Sequence, residues 1–160
     1  QVLGNLGCLR GFIVHGLDGL DEISITGKTR ITEIRRDGRM STYTLSPEDL
    51  DIPSSSLSSI IGGNPAQNAR IARDLLGGRE NFGPRHDVLL LNAAAVLVAA
   101  DLAETLRDGI RIARQTLASG AALAKLEALV QFTQKCKVAK PAVADKLKKK
   151  SPARAKSLRR

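Results

Sequence analysis

The residues best suited to chemistry lie in one short acidic stretch, His-Gly-Leu-Asp-Gly-Leu-Asp-Glu, at positions 15–22. It contains three carboxylates, Asp18, Asp21 and Glu22, and two glycines. Carboxylate oxygens are preferred ligands of Mg2+, which in proteins usually keeps several waters and takes further ligands from substrate phosphates. The stretch therefore predicts a turn that binds one or two hard cations. A solvated acidic turn is the alternative, because most acidic residues lie on the surface.

The residues before this stretch favour a position at the end of a strand. Residues 11–15 form a short apolar run, and we interpret them as a buried strand of an α/β sheet. Ligands of open α/β sheets bind beyond the carboxyl ends of the strands, which is where the acidic stretch would then lie. On a strand, Asp21 and Glu22 would point in opposite directions, but in a turn both can present oxygens to the same cation.

The rest of the chain predicts a hairpin followed by helices. Residues 29–45 read as two antiparallel strands joined at Asp37-Gly38, a dipeptide that readily forms a two-residue turn. Asn64-Pro65 is a typical helix start, with the cap residue followed by proline, and Gly77-Gly78 is a typical helix stop. Apolar periodicity predicts three further helices, which cover roughly residues 85–100, 105–118 and 120–134.

Three polar residues outside the acidic carboxylates are candidates for other roles. His15, at the end of the first strand, could contact a substrate, but a hydrogen-bonded structural histidine is the favoured interpretation. His86 precedes Asp87 at a predicted helix start, where capping is favoured over acid–base chemistry. Asn92 lies in an apolar helix, so we expect its amide to bind backbone groups of a neighbouring loop.

The charge of the chain is concentrated at its C-terminal end. The 160 residues carry a formal net charge of +9, yet residues 135–160 contain 11 Lys and Arg against one Asp. Residues 1–134 then hold 14 basic and 15 acidic side chains, a net charge of −1. We therefore expect one folded domain over 1–134 and a basic, disordered tail over 135–160. The tail contains no aromatic residue, so a solvated extension is favoured over weak, salt-sensitive binding of nucleic acid.

Cysteine usage and hydropathy predict a cytoplasmic protein. Cys8 and Cys136 stand far apart without a CxxC motif, which favours reduced thiols over a disulfide or zinc site. The longest apolar run, residues 88–100, is shorter than the roughly 20 residues that span a bilayer, so no membrane segment is expected. The first residues do not resemble a signal peptide, and we expect a chain that begins within a longer one.

Several ordered motifs resemble the C-terminal part of the anthranilate phosphoribosyltransferase family. The resemblance covers roughly residues 1–132 and does not include the basic tail. The acidic stretch is its most specific part. The matching segments are 15–24, Thr29 with Glu33, 43–49, 62–69, 92–95, and 119–120 through 126–127.

The resemblance implies a fold, a reaction and a metal site. The fold would be a fragment of the phosphoribosyltransferase and nucleoside-phosphorylase-like large α/β domain, a sheet with a β-hairpin flanked by helices. The enzyme would be a glycosyltransferase of tryptophan biosynthesis, usually a homodimer, which moves phosphoribose from phosphoribosyl pyrophosphate to anthranilate. Asp21 and Glu22 would bind Mg2+ that meets the pyrophosphate, whereas Asp18 receives no role. No residue of this chain is assigned a catalytic role, and the substrate-binding residues are unknown.

Departures from the family pattern leave two other hypotheses open. The family's glycine-rich pyrophosphate loop, its Lys-His-Gly-Asn segment, the arginine near anthranilate and the small helical domain have no counterpart here, and Lys28 stands where proline is expected. We therefore expect an incomplete chain that is inactive alone. The alternatives are a non-catalytic relative that binds nucleic acid through its tail, and an inactive remnant that folds poorly.

Overall fold

The computed structural model describes residues 1–136, which form a small sheet and a set of helices. The strands are β1 (Gly11–Gly16), β2 (Thr29–Ile34) and β3 (Met40–Leu45). The helices are α1 (Val2–Asn5), α2 (Pro65–Leu76), α3 (Pro84–Ala99), α4 (Leu106–Ala118) and α5 (Ala121–Lys135). Two short 3-10 turns, Pro47–Leu50 and Leu57–Ser59, lie in the long connection between β3 and α2. This mixture confirms the predicted α/β class.

The sheet has three antiparallel strands in the order β1-β2-β3. The predicted hairpin is confirmed, since β2 and β3 pair from Thr29 opposite Leu45 to Ile34 opposite Met40. Gly38 adopts φ of +79° in the connecting turn, a left-handed conformation that glycine reaches without steric cost. The central strand is the most buried of the three: Ile31 belongs to the core, and Ile34, on the opposite face of the strand, is also buried.

The prediction of a buried first strand is correct about the strand and wrong about its burial. β1 lies at the edge of the sheet, and within residues 1–136 it pairs only with β2. Its side chains alternate between the two faces: Phe12 and Val14 are half-buried, whereas Ile13 and His15 are exposed. A run of consecutive apolar residues is therefore compatible with a strand that is covered on one face only.

The helix α2 begins and ends where the sequence predicts. Asn64 Oδ1 accepts a hydrogen bond from the Gln67 N–H at 3.0 Å, and Gln67 Oε1 accepts one from the Asn64 N–H at 2.8 Å. This reciprocal pair is a capping box, and it satisfies two backbone donors that the helix leaves unpaired. Beyond Leu76, Gly78 takes a left-handed φ of +71°. No residue of α2 is fully buried, so its apolar stripe is only partly covered.

The core lies between the sheet and the helices α3 and α4. Its buried members come from the loop between β1 and β2, the sheet, the loop after β3 and these two helices. They are Ile23, Ile25, Ile31, Leu45, Ile52, Leu90, Leu91, Ala94, Ile110, Ala113 and Leu117. The two helices approach closely where Gly109 faces Ala94: a Cβ on Gly109 would lie 2.8 Å from the Cα, Cβ and O atoms of Ala94. The absence of a side chain at Gly109 therefore lets α4 pack directly against the backbone of α3.

The chain divides into two compact units. The first comprises Gln1–Leu126, and the second begins at Glu127 with the C-terminal part of α5. No helix in the described part of the chain is long and apolar enough to cross a membrane. Of the predicted disordered tail, residues 135–160, only the first two residues are described, and Lys135 is the last residue of α5. Residues 137–160 lie outside the described residues, so the tail and its boundary stay predictions.

Candidate functional site

Most of the acidic stretch lies in the loop between β1 and β2, residues 17–28, here called the acidic loop. At its start, the Gly16 N–H donates to the Leu20 carbonyl at 2.8 Å, and the Leu17 N–H donates to the Lys28 carbonyl at 2.8 Å. Lys28 thus contributes a backbone carbonyl, which the expected proline would also provide. A Cβ on Gly16 would clash with Oδ1 of Asp18 and lie 3.0 Å from the carbonyl oxygen of Leu20, so the turn favours glycine there.

Asp18, to which the sequence assigns no role, organises the acidic loop. Its Oδ2 accepts hydrogen bonds from the hydroxyls of Ser24 and Thr26, and its Oδ1 accepts one from the Leu20 N–H at 3.2 Å. Partial burial raises the pKa of Asp18, but the bonds from Ser24 and Thr26 outweigh this and bring the pKa below its ordinary value. The ionised carboxylate therefore links the two halves of the loop.

The role of Asp18 predicts a pH-dependent loss of stability in Asp18→Ala. The lowered pKa means that the native state favours the charged form, so its contribution to stability is fully present above the unfolded-state pKa. That contribution disappears as the pH falls through the folded-state pKa. Thermal unfolding should show a lower Tm for the variant at neutral pH, and a smaller difference from the parent in acid.

The matched control for this prediction is Asp21→Ala, which removes a carboxylate of the same loop that lacks an intramolecular partner among residues 1–136. It should unfold at the same temperature as the parent. If Asp18→Ala also unfolds like the parent at neutral pH, Asp18 does not organise the loop.

The predicted metal pair, Asp21 and Glu22, lies at the opening of two cavities. Both residues are exposed, and neither carboxylate has a hydrogen-bond or ion-pair partner in the described part of the chain. Both line a cavity of about 320 Å³ together with Phe12 and Val14 of β1. Glu22 also lines a second cavity of about 640 Å³, which extends between α2 and α3. Their oxygens are thus free to bind a ligand next to a concave surface.

The wall of the larger cavity contains a cation that the sequence analysis does not single out. Arg85, in the first turn of α3, lines this cavity, and its Nη2 donates to the Ile61 carbonyl at 3.0 Å. Its buried Nε has no hydrogen-bond partner among the described residues. The remaining wall is mostly apolar, with Ile71 and Leu75 from α2. The position of Arg85 after Pro84 at a helix start gives no signal of this contact in the sequence.

Asn92 connects α3 to the acidic loop, as the sequence predicts. Its Oδ1 accepts a hydrogen bond from the Ile23 N–H at 3.0 Å. Its Nδ2 donates to the Ile23 carbonyl at 2.9 Å and to the Val88 carbonyl at 3.0 Å. The amide therefore binds the backbone immediately after Glu22, and the prediction that it binds backbone groups of a neighbouring loop is confirmed.

The structure contradicts the favoured interpretations of both histidines. His15 is exposed and has no hydrogen-bond partner within residues 1–136, so it is not a satisfied structural histidine. His86 does not cap α3, because the cap residue is Gly83. Instead, His86 is buried, with Nδ1 3.5 Å from Asp87 Oδ1 and no hydrogen bond to Nδ1 in the described region. The left-handed Gly83, with φ of +94°, turns the chain into α3 and moves the start of the helix ahead of His86.

The donor set of the site fits a hard cation that shares its coordination shell with a substrate. No group of three or more His, Cys, Asp or Glu side chains in the described residues is arranged to hold a metal ion alone. Asp21 and Glu22 supply two free carboxylates at a solvent-accessible rim. Mg2+ is commonly bound by one or two carboxylates, with waters and phosphate oxygens as the other ligands. The two residues therefore fit Mg2+ that is held jointly with a phosphorylated ligand.

Curated relatives of this sequence are anthranilate phosphoribosyltransferases. The enzyme from Geobacter sulfurreducens is 51% identical over 133 residues, covering 83% of this chain and 37% of the relative. The enzyme from Syntrophotalea carbinolica is 48% identical over 134 residues, covering 84% of this chain and 37% of the relative. This chain thus spans a little over a third of the length of the relatives it matches.

Solved structures show the same similarity. The crystal structure of anthranilate phosphoribosyltransferase from Thermus thermophilus matches with a TM-score of 0.73 and 39% identity, over 82% of this chain and 38% of that one. The Saccharomyces cerevisiae enzyme in complex with PRPP and Mg matches with a TM-score of 0.66 and 33% identity, over 74% of this chain and 33% of that one. Residues 1–123 match the glycosyl transferase family, a/b domain, and the chain therefore belongs to that family.

Proposed function

We propose that this chain provides the magnesium-binding part of an anthranilate phosphoribosyltransferase, which transfers phosphoribose from phosphoribosyl pyrophosphate to anthranilate in tryptophan biosynthesis. The observation that carries the proposal is the pair of free carboxylates, Asp21 and Glu22, at the rim of two cavities. Relatives that share the name of this enzyme support the reaction. A yeast relative solved with PRPP and Mg, and another with 4-fluoroanthranilate, support the substrates and the metal.

The chemistry of the proposed reaction explains why carboxylates stand at this rim. Breaking the bond between C1 of ribose and pyrophosphate leaves an oxocarbenium-like sugar and a strongly anionic leaving group. Bound Mg2+ supplies positive charge that neutralises this leaving group. Asp21 and Glu22 would hold this cation through their carboxylates at the cavity rim, and the cation would supply charge to the pyrophosphate there. The amine of anthranilate is already a neutral nucleophile, so positioning and electrostatics carry most of the acceleration without a strong general base.

A complementation experiment tests the proposal. The chain is combined with a polypeptide that carries the part of the Geobacter sulfurreducens relative outside the matched region. We expect the mixture to consume anthranilate in the presence of phosphoribosyl pyrophosphate and Mg2+, with each part inactive alone and EDTA abolishing turnover. Size-exclusion chromatography establishes whether the two parts form a complex. A stable complex that shows no Mg2+-dependent consumption of anthranilate would contradict the proposed function.

Three other predictions from the sequence remain predictions. A homodimer of the complete enzyme and a cytoplasmic location follow from the family resemblance and the cysteine usage. Binding of nucleic acid through the basic tail concerns residues 137–160, which lie outside the described residues. In the described part of the chain no contact favours this non-catalytic alternative over the metal-dependent function.

A further inference from the structure

Neither Asp21 nor Glu22 makes a hydrogen bond to another residue of 1–136, so the position of this acidic pair depends on the backbone on either side of it. Before the pair, the Leu20 N–H is bound by Asp18 and the Leu20 carbonyl by the Gly16 N–H. After the pair, both the N–H and the carbonyl of Ile23 are bound by the side-chain amide of Asn92. Asp21 and Glu22 therefore lie between two residues, Leu20 and Ile23, whose backbone groups are held by hydrogen bonds.

We propose that Asn92 is the positioning residue of this metal pair: its amide fixes the peptide plane between Glu22 and Ile23 and so sets where the carboxylates stand when a divalent cation binds. The Ile23 N–H belongs to that shared peptide, so the bond to Asn92 Oδ1 restricts rotation about the Glu22 Cα–C bond. This inference rests on the proposed function, because it takes Asp21 and Glu22 as the cation ligands.

The geometry of Asn92 suits a rigid support. Its Nδ2 also donates to the Val88 carbonyl one turn earlier in α3, which fixes the orientation of the amide relative to the helix. The following turn of α3 contains the buried Ala94, packed against α4. Asn92 further lines both cavities that Glu22 lines. The position of the acidic pair is thereby fixed by α3, which packs against α4, rather than by the loop alone.

Loss of the Asn92 amide would release this part of the loop. In Asn92→Ala, the N–H and carbonyl of Ile23 lose their protein partner at a residue that is 1% exposed. Buried backbone groups without partners are costly, so the loop is expected to rearrange until water or another group satisfies them. Residues that orient metal ligands without touching the metal typically change metal affinity about 10–100-fold when they are removed. If Asn92 had only a structural role, its substitution would lower the stability of the protein without this loss of metal affinity.

The test measures Mn2+ binding to the 160-residue chain in the presence of inorganic pyrophosphate, which supplies the phosphate ligands, with Mn2+ as a paramagnetic substitute for Mg2+. In the parent, Mn2+ should broaden the amide resonances of Asp21 and Glu22. In Asn92→Ala, the Kd for Mn2+ should rise by about 10-fold or more. The control is Thr105→Ala, which removes the Oγ1 cap that accepts the Asp108 N–H at 3.1 Å in α4. It lowers the stability of the protein away from the acidic loop and should leave the Kd for Mn2+ unchanged.

Hydrogen exchange in the unsubstituted chain gives a second measurement that does not depend on a folded variant. Because coupling between two events is reciprocal, saturating Mg2+ together with pyrophosphate should slow exchange of the Ile23 amide if its bond to Asn92 favours metal binding. Two results would overturn the positioning role alone. One is an unchanged Kd for Mn2+ in Asn92→Ala; the other is an exchange rate of the Ile23 amide that does not change with Mg2+ while the exchange rates of Asp21 and Glu22 do. Absence of any Mn2+ effect on Asp21 and Glu22 in the parent would overturn the metal assignment as well.

Discussion

Glu22→Gln in the complemented enzyme is expected to lower kcat for phosphoribose transfer by about 10²–10³-fold, the size of effect seen when one group that stabilises transition-state charge is removed. The substitution keeps the size and hydrogen-bonding capacity of the side chain and removes only the negative charge that attracts the cation. Asp21→Asn should behave in the same way, since both carboxylates are free and share one cavity. The measurement is the initial rate of anthranilate consumption as a function of Mg2+ concentration.

The dependence on Mg2+ separates a loss of metal binding from a loss of folding. If the carboxylates bind the cation, the variants should require more Mg2+ for half-maximal rate while their Tm equals that of the parent. Glu104→Gln provides a matched control, because Glu104 is exposed and has no partner among the described residues. Its rate should equal the parent rate. Parent-like rates for both Asp21→Asn and Glu22→Gln at limiting Mg2+ would show that the cation binds elsewhere.

Features that depend on a few neighbouring residues could be predicted from the sequence. The Asp37-Gly38 turn and the capping box of Asn64 and Gln67 form as expected, because their energetics are local: a left-handed glycine and two backbone donors paired with nearby side chains. The bonds of Asn92 were also predictable in kind, since a buried amide in an apolar helix must find partners. Its partner, Ile23, is distant in sequence and could not be named.

Features that depend on packing could not be predicted. An apolar run such as residues 11–15 gives the same pattern for a central strand and for an edge strand, and it is the pairing of β1 with one neighbour within residues 1–136 that distinguishes them. The burial of His86 follows from where Gly83 starts the helix, not from the residue type. Asp18 reads as one of three similar carboxylates, yet its bonds to Ser24 and Thr26 distinguish it from the two free ones.

Gly109 is another such feature, and it leads to the largest stability effect that we expect. In sequence it is a glycine within an amphipathic helix, which ordinarily makes alanine the better residue by about 1 kcal/mol. In the structure it permits α3 and α4 to touch, since a Cβ there would lie 2.8 Å from three atoms of Ala94, two of them backbone. Backbone atoms cannot rotate away, so Gly109→Ala must separate the two helices. Forced separation of a packed core typically costs about 1–3 kcal/mol.

Gly109→Ala should therefore lower the free energy of unfolding, measured by urea denaturation, despite its gain in helix propensity. Gln115→Ala, at an exposed position of the same helix, should leave it nearly unchanged. Because Ala94 lies two residues after Asn92 on α3, displacement of this helix should also move the support of the acidic loop and weaken Mn2+ binding. If Gly109→Ala instead stabilised the protein, the gain in helix propensity would exceed the cost of the clash with Ala94, and α3 would be free to shift. The acidic pair would then be held by a mobile helix, which contradicts a rigid support for the metal site.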